Sequence, residues 1–382
     1  MSIIPIGRPL RVGMVGVGKI FELTSRAYTK SEDAEVVAVC DPVEERLDLA
    51  RRTFPGAECF TGVDDLLASG AEIDMVEIGV PTPMHCEVAC RFLRAGYHVN
   101  LQKPMATSLI EADEMITVAR EADVVLRVME PYLFFQPLEV LKQVVESGEI
   151  GEVAGFHMKM VGTGGGGWDV PWSTLEWQFS QMEQQGLGIL VFDDGWHKFS
   201  VARWLFGPVV DVMAWVGRTE FGSGIAVDAP STIMWNHANG VRGVFDLVLA
   251  PDTFMRSDYY SSDERFEVTG TRGFVRVNHC AAYGLEQQPS LEVYRDGVLR
   301  AYHDLDDDWA NCFIRQTEHY LRWLRYGEGP LLLDTGWSRE ILAFLLGAVE
   351  SSRRNAPLRL DEEPWAPEVR RTPAGRTRPP HC

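Results

Sequence analysis

Residues 11–21 read RVGMVGVGKIF. Val12, Met14 and Val15 form an apolar run of the kind a buried strand carries. Gly16-Val17-Gly18 turns the chain, and from Lys19 onward the composition is helical. A strand that enters a helix through closely spaced glycines leaves backbone N–H groups facing outward, at the positive end of the helix dipole. A pyrophosphate fits there, and a side chain on either glycine would obstruct it. Gly16, Gly18, Lys19 and Ile20 are therefore candidate phosphate contacts.

The pattern continues from this first unit. Residues 35–40, 57–60, 73–79, 97–101 and 124–128 read as strands, and residues 43–54, 84–95 and 109–121 as helices. Strands alternating with helices through short loops imply a mostly parallel sheet covered on both faces. Asp41 sits just past the second strand. An acid at that place accepts hydrogen bonds from both adenosine ribose hydroxyls and repels a 2′-phosphate. Pro42, Val43, Glu44 and Glu45 follow with no cation before Arg46, so NAD is expected rather than NADP. The third fingerprint position is Phe21 instead of Gly or Ala. The helix must stand off from the sheet there, or Phe21 must turn away.

At 382 residues, 46% hydrophobic and 24% charged, the chain has the composition of a soluble protein with two domains. The net charge of −19 argues against nucleic acid as a partner. The N-terminus lacks a signal design and no apolar run reaches membrane-spanning length, so a cytoplasmic protein with no membrane partner is expected. The seven cysteines are scattered. Cys86 and Cys90 share a helix face, but no nearby Cys or His completes a set, and no metal is expected.

Two connections follow strand ends on the side where open α/β sheets bind ligands: residues 80–85, VPTPMH, and Gln102-Lys103-Pro104. A lysine at a strand end, held by the following proline, points its ammonium into the crevice. There it hydrogen-bonds a substrate hydroxyl and steadies the developing alkoxide. From residue 148 the texture changes. Long alternating segments such as 209–216 and 232–249 predict a large, mainly antiparallel sheet with one face covered. Gly164–Gly167 reads as a loop at the crevice, a candidate lid. Within residues 189–206, Asp193 and His197 are four apart and share a helix face. A histidine accepts a hydroxyl proton near neutral pH, and a carboxylate beside it orients the substrate.

These motifs resemble the Gfo/Idh/MocA family of glucose–fructose oxidoreductase and inositol dehydrogenase. The resemblance rests on Gly16-Val17-Gly18, Asp41, Pro81-Thr82-Pro83-Met84-His85, Gln102-Lys103-Pro104 and Asp193-x-Gly195-x-His197, and extends over residues 11–360. It implies a Rossmann domain over residues 1–131 and a substrate-binding, oligomerising α+β domain over 132–362, with a Pro- and Arg-rich tail at 363–382. It implies cofactor contacts from Pro81, Thr82, His85, Gln102 and Lys103, and catalysis by Lys103, Asp193 and His197. The implied activity is NAD-dependent oxidation of a secondary hydroxyl of a sugar, glycoside or cyclitol by a homodimer or homotetramer built through the second sheet. Two rivals share the fold: an NAD-dependent glycoside hydrolase using transient oxidation, and a non-catalytic dinucleotide sensor.

The sequence departs from the pattern in three places. Gln102 stands for the usual Glu, Phe134-Phe135-Gln136-Pro137 lacks the usual Arg, and Gly186-Leu187-Gly188 fits the family's glycine-rich stretch one residue out of register. Trp168, Trp172, Trp177 and Trp196 fall near the crevice in sequence. Indole faces pack on the C–H faces of sugar rings, so Trp168 or Trp172 is a candidate stacking platform. Asp194 is a further acid, a candidate substrate ligand or helix cap. The stretch Asp252, Arg256, Asp258, Tyr259 and Tyr260 lines either the site or a subunit interface.

Overall fold

Val12, Met14 and Val15 are 0–3% exposed, and the strand they form, β1 (Leu10–Val15), lies inside a parallel sheet. The fold is taken from a computed structural model that describes residues 4, 7–168, 172–220, 226–281 and 287–362, leaving out the side chains of 172–175 and 220. The Trp172 side chain and the 363–382 tail lie outside the described residues.

The first unit runs β1, α1 (Phe21–Lys30), β2 (Ala34–Cys40), α2 (Glu44–Thr53), β3 (Glu58–Phe60), α3 (Val63–Ala68), β4 (Met75–Ile78), α4 (His85–Arg94), β5 (His98–Leu101), α5 (Leu109–Glu121) and β6 (Leu126–Val128). Its six strands are ordered β3-β2-β1-β4-β5-β6 and all paired neighbours are parallel. The order reverses between β1 and β4, which opens a crevice at the carboxyl edge. Val15 is in register with Cys40 and Ile78, Ile78 with Leu101, and Leu101 with Val128. Gly16, Asp41, Gly79, Gln102 and Met129 thus leave the sheet at one level. Phe21 is buried and meets Phe54 edge-on at 6.1 Å, in a core cluster with Val12, Met14 and Leu47. It turns into that core instead of blocking the turn.

The second unit begins with a 3-10 turn at Pro131–Phe134 and α6 (Gln136–Glu146). It continues through β7 (Val153–Gly165), α7 (Trp172–Glu183), a π-helix at Ile189–Asp194 and α8 (Gly195–Phe206). The strands β8 (Val209–Val216), β9 (Thr219–Glu220), β10 (Ala226–Val227), β11 (Ser231–His237), β12 (Arg242–Phe254), β13 (Ser262–Gly270), β14 (Gly273–Val277), β15 (Leu291–Arg295) and β16 (Val298–Tyr302) follow. The chain closes with α9 (Trp309–Tyr326), α10 (Thr335–Arg354) and β17 (Leu358–Arg359). Nine strands form one sheet, ordered β16-β15-β14-β13-β7-β12-β11-β8-β17. Only β7 and β12 pair in parallel. Phe156, Met158 and Met160 of β7 point to the core, while His157 and Lys159 point away from it, as a pleat with one covered face requires. Tyr320, Leu321 and Leu324 of α9 share a core cluster with β1 and α1, so the last third of the chain returns to brace the first sheet. No helix among the described residues is long and apolar enough to cross a membrane.

Two expectations change. The 232–249 segment is not one strand but the β11–β12 hairpin, because Ala238-Asn239-Gly240 turns the chain, with Gly240 at φ 88°. The four-glycine run is not a loose lid. Gly164 and Gly165 end β7, and Cβ atoms at Gly164, Gly166 and Gly167 would collide with the backbone of residues 251, 255 and 259–261. These glycines let two strand ends approach closely. Gly166→Ala, at φ 116°, is expected to lower unfolding free energy by about 1–3 kcal/mol in urea denaturation.

Candidate active site

The carboxyl edge of the first sheet is pinned by main-chain contacts. Gly16 has φ 98°, and a Cβ there would sit 2.7 Å from the Gly79 carbonyl oxygen, so no other residue fits. A Cβ on Gly18 would meet nothing within 4 Å, which leaves open space over the turn. Among the described residues none accepts from the N–H groups of Gly18, Lys19 or Ile20. An open, glycine-floored cradle with unused N–H donors at a helix start fits a dinucleotide pyrophosphate. Asp41 is buried. Its carboxylate accepts from Val17 N at 2.7 Å and Val43 N at 2.9 Å, with Arg46 3.8 Å away. It splints the glycine turn to the end of β2 and keeps spare lone pairs for a ribose.

His85 does not face the crevice. Its fully buried ring lies between two main-chain carbonyls, Pro104 O at 2.8 Å from Nδ1 and Val80 O at 2.9 Å from Nε2. Burial lowers its proton affinity. It ties the 80–84 connection, with Pro81 and the buried Thr82, to the turn that carries Lys103. Gln102 accepts from Lys103 N at 2.9 Å through Oε1, and its buried Nε2 has no partner among the described residues.

The two domains meet at Lys103. Its Nζ donates to the Asp193 carboxylate and to the Asp193 carbonyl, each at 3.1 Å. The side chains are 11% and 20% exposed, so the pair is shielded yet reachable. Asp193 sits near the end of the π-helix, whose first N–H groups need a cap. Asp228, far away in sequence, supplies it: its carboxylate accepts from Leu190 N at 2.8 Å and Val191 N at 2.7 Å. Gly188 must be glycine because a Cβ would strike the Asp228 side chain.

One turn later, His197 is buried against Glu130. Nδ1 lies 2.7 and 2.9 Å from the two Glu130 oxygens, and the Tyr132 ring packs against the imidazole, tilted by 31° at 4.7 Å. Nε2 is buried with no partner among the described residues. Burial, then the charges of Lys103 and Lys198, hold His197 well below the usual histidine range, so it is neutral at pH 7. Burial pushes Glu130 up to about 8. Asp194 does not point to a free helix end. It binds Lys198 Nζ at 2.5 Å, and Lys198 also reaches Glu264 at 2.9 Å. Burial alone would raise Asp194, but the ammonium groups of Lys198 and Lys103 hold it below its usual value. Burial lifts Glu264 to about 7.

Trp168 packs on Tyr259 and Tyr260 at 5.8 and 5.5 Å, and Lys19 of the glycine turn lies 5.7 Å over its ring. This indole therefore sits where the second domain faces the dinucleotide cradle. Tyr260 also meets Trp309 at 5.1 Å, and burial raises its phenol, with Asp193 and Asp194 adding to it. Trp196 is core. Cys86, Cys90 and Glu114 gather ligand atoms within 4.8 Å of one another; the carboxylate from α5 was not visible in the spacing of the cysteines.

Sequence reasoning missed Glu130, Glu264 and Asp228, and gave Lys198 no role. Glu130 alone carried a signal. It follows β6 at the level where Lys103 follows β5, and an acid at a strand end on the ligand side invites a question.

The fold and cradle define a dinucleotide-binding oxidoreductase of two domains. The chain belongs to the GFO/IDH/MocA family: residues 10–130 match its model of an oxidoreductase family with an NAD-binding Rossmann fold, and residues 138–276 match its C-terminal domain. The myo-inositol 2-dehydrogenase of Thermotoga maritima is 25% identical over 92% of this chain and 99% of its own length. The 1-carboxy-3-chloro-3,4-dihydroxycyclo hexa-1,5-diene dehydrogenase of Comamonas testosteroni is 26% identical over 67% of this chain, which spans 60% of that relative. An oxidoreductase from Agrobacterium radiobacter, solved with NAD+, L-tartaric acid and magnesium, superposes with a TM-score of 0.74 at 22% identity, covering 92% of this chain and 98% of that one.

The two glycines of the turn should separate experimentally. Gly18→Ala is expected to leave the melting temperature unchanged and to weaken NADH binding about tenfold or more by fluorescence titration, which is about 1.4 kcal/mol. Gly16→Ala is expected to lower the melting temperature.

Proposed function

We propose that this chain is an NAD-dependent dehydrogenase that oxidises a secondary hydroxyl of a sugar, glycoside or cyclitol to a ketone, reversibly. The observation that carries the reading is the Lys103–Asp193 contact between domains, with the unpartnered Nε2 of His197 one turn further on. The ring-hydroxyl dehydrogenases among its relatives support the substrate class.

A nicotinamide dinucleotide bound on the glycine turn would supply the hydride acceptor. The chain's own groups do the rest. Lys103 donates to the reacting hydroxyl and stabilises negative charge as it develops on oxygen. Asp193 exchanges part of its bond to Lys103 for a neighbouring ring hydroxyl and fixes the ring. His197, neutral and unpartnered at Nε2, takes the hydroxyl proton. Trp168, packed on Tyr259 and Tyr260, offers a ring-stacking wall.

Two measurements check this. In a panel of cyclitols, sugars and glycosides with NAD, absorbance at the reduced-nicotinamide band is expected to rise for at least one polyol. Lys103→Ala and His197→Ala should each lower that kcat by roughly 10²–10⁴; product without net NADH would favour a hydrolase. NADH is expected to bind more tightly than NADPH, and Asp41→Ala to narrow the difference in a titration with both.

A further inference from the structure

The base assigned above is poor on its own. Burial and two nearby ammonium groups disfavour an imidazolium at His197. Something must hold the proton that the reaction releases. Glu130 is placed for it. The carboxyl is fully buried, and both oxygens face His197 Nδ1. One of them also accepts from Tyr132 N at 2.9 Å, and the Glu130 N–H donates to Gln316 of α9 at 2.8 Å. Backbone and α9 therefore fix the carboxyl before any substrate arrives.

We propose that Glu130 is the positioning and proton-holding partner of His197: as the substrate hydroxyl gives its proton to Nε2, the Nδ1 proton crosses to the Glu130 carboxylate. This rests on the dehydrogenase reading of the same site. The balance is complete. The substrate O–H bond breaks and an Nε2–H bond forms. The Nδ1–H bond breaks and a Glu130 O–H bond forms. The carbinol C–H pair leaves to the oxidised dinucleotide, and the alkoxide pair closes the carbonyl. Imidazole and carboxylic acid both end neutral. In the serine-hydrolase triad the acid stays ionised and the histidine carries the charge. Here Lys103 and Lys198 face the imidazole and penalise that charge, while burial favours the neutral acid.

The groups around the pair set its pH dependence. Lys103 comes from the β5 turn and Lys198 and Ser200 from α8. Arg127 comes from β6, Asp193 and Asp194 from the π-helix, and Tyr260 from the approach to β13. Glu130 is pushed up to about 8, chiefly by burial, against the lowering effect of Tyr132 N–H, Lys103 and Lys198. Below that pH the pair already holds the extra proton and Nε2 is blocked. Above it Nε2 is free. Oxidation should therefore rise with pH through about 8, and ketone reduction should fall.

The test needs neither substrate nor cofactor. The full chain is labelled with 13C,15N-histidine, and His197 is assigned by its loss in His197→Gln. The expected imidazole is neutral throughout the titration, where an unperturbed histidine would charge near about pH 6.5. Its tautomer should change from Nε2–H to Nδ1–H as pH rises through about 8. In Glu130→Gln, which keeps the shape but cannot titrate, the tautomer should stay constant. An imidazolium signal, or a single tautomer across the range in the parent, overturns the proposal whether or not the variant folds. So does a tautomer change that survives in Glu130→Gln. A polyol panel without turnover would sink the dehydrogenase reading and leave the NMR result standing.

Discussion

A shielded ion pair between Lys103 and Asp193 joins the two halves of this protein, and most of the site is arranged to hold its two ends. Neither end is rigid by itself. Lysine has a flexible stem, and the π-helix under Asp193 begins with unpaired N–H groups. The first end is steadied by His85, whose ring spans the carbonyls of Val80 and Pro104 and so locks two strand-end connections together. The second is steadied by Asp228, which caps the π-helix from a distant loop. Two buried side chains outside the pair, His85 and Asp228, therefore set where the amine and the carboxylate meet.

Charge around the pair is divided. Lys198 is fully buried and held by Asp194 and Glu264, so its ammonium is committed to structure. Lys103 has one carboxylate partner, Asp193, and in the proposed reaction substrate hydroxyls replace part of that bond. The histidine is backed by a carboxyl whose burial suits it to the neutral form. Placing cations and acids in alternation keeps a densely charged interior folded, because each removed partner would leave an uncompensated charge, at a cost of about 3–5 kcal/mol for a buried pair.

Much of this was legible in the sequence. The glycine turn, the strand ends and the α5 boundaries follow from apolar spacing and turn chemistry, which are local. The i,i+4 spacing of Asp193 and His197 was read as one helix face. The structure instead splits them across a π-helix and α8, where Asp193 turns to Lys103 and His197 to Glu130. Glu130 and Asp228 were not found, since their roles arise only when β6 is set against α8 and a loop against a π-helix. The glycine run was misread as a candidate lid because composition does not reveal which backbone will lie against it. Gln102 keeps one of the two roles a carboxylate would have, accepting from Lys103 N, and leaves a buried NH2 beside the lysine.

The geometry that joins these parts is tested most directly by a crystal structure of the protein with NAD. The pyrophosphate is expected over Gly18, the ribose at Asp41, and the nicotinamide ring between the Lys103 amine and His197 Nε2. A dinucleotide lying elsewhere, or a nicotinamide ring with those two groups facing away from it, would contradict it.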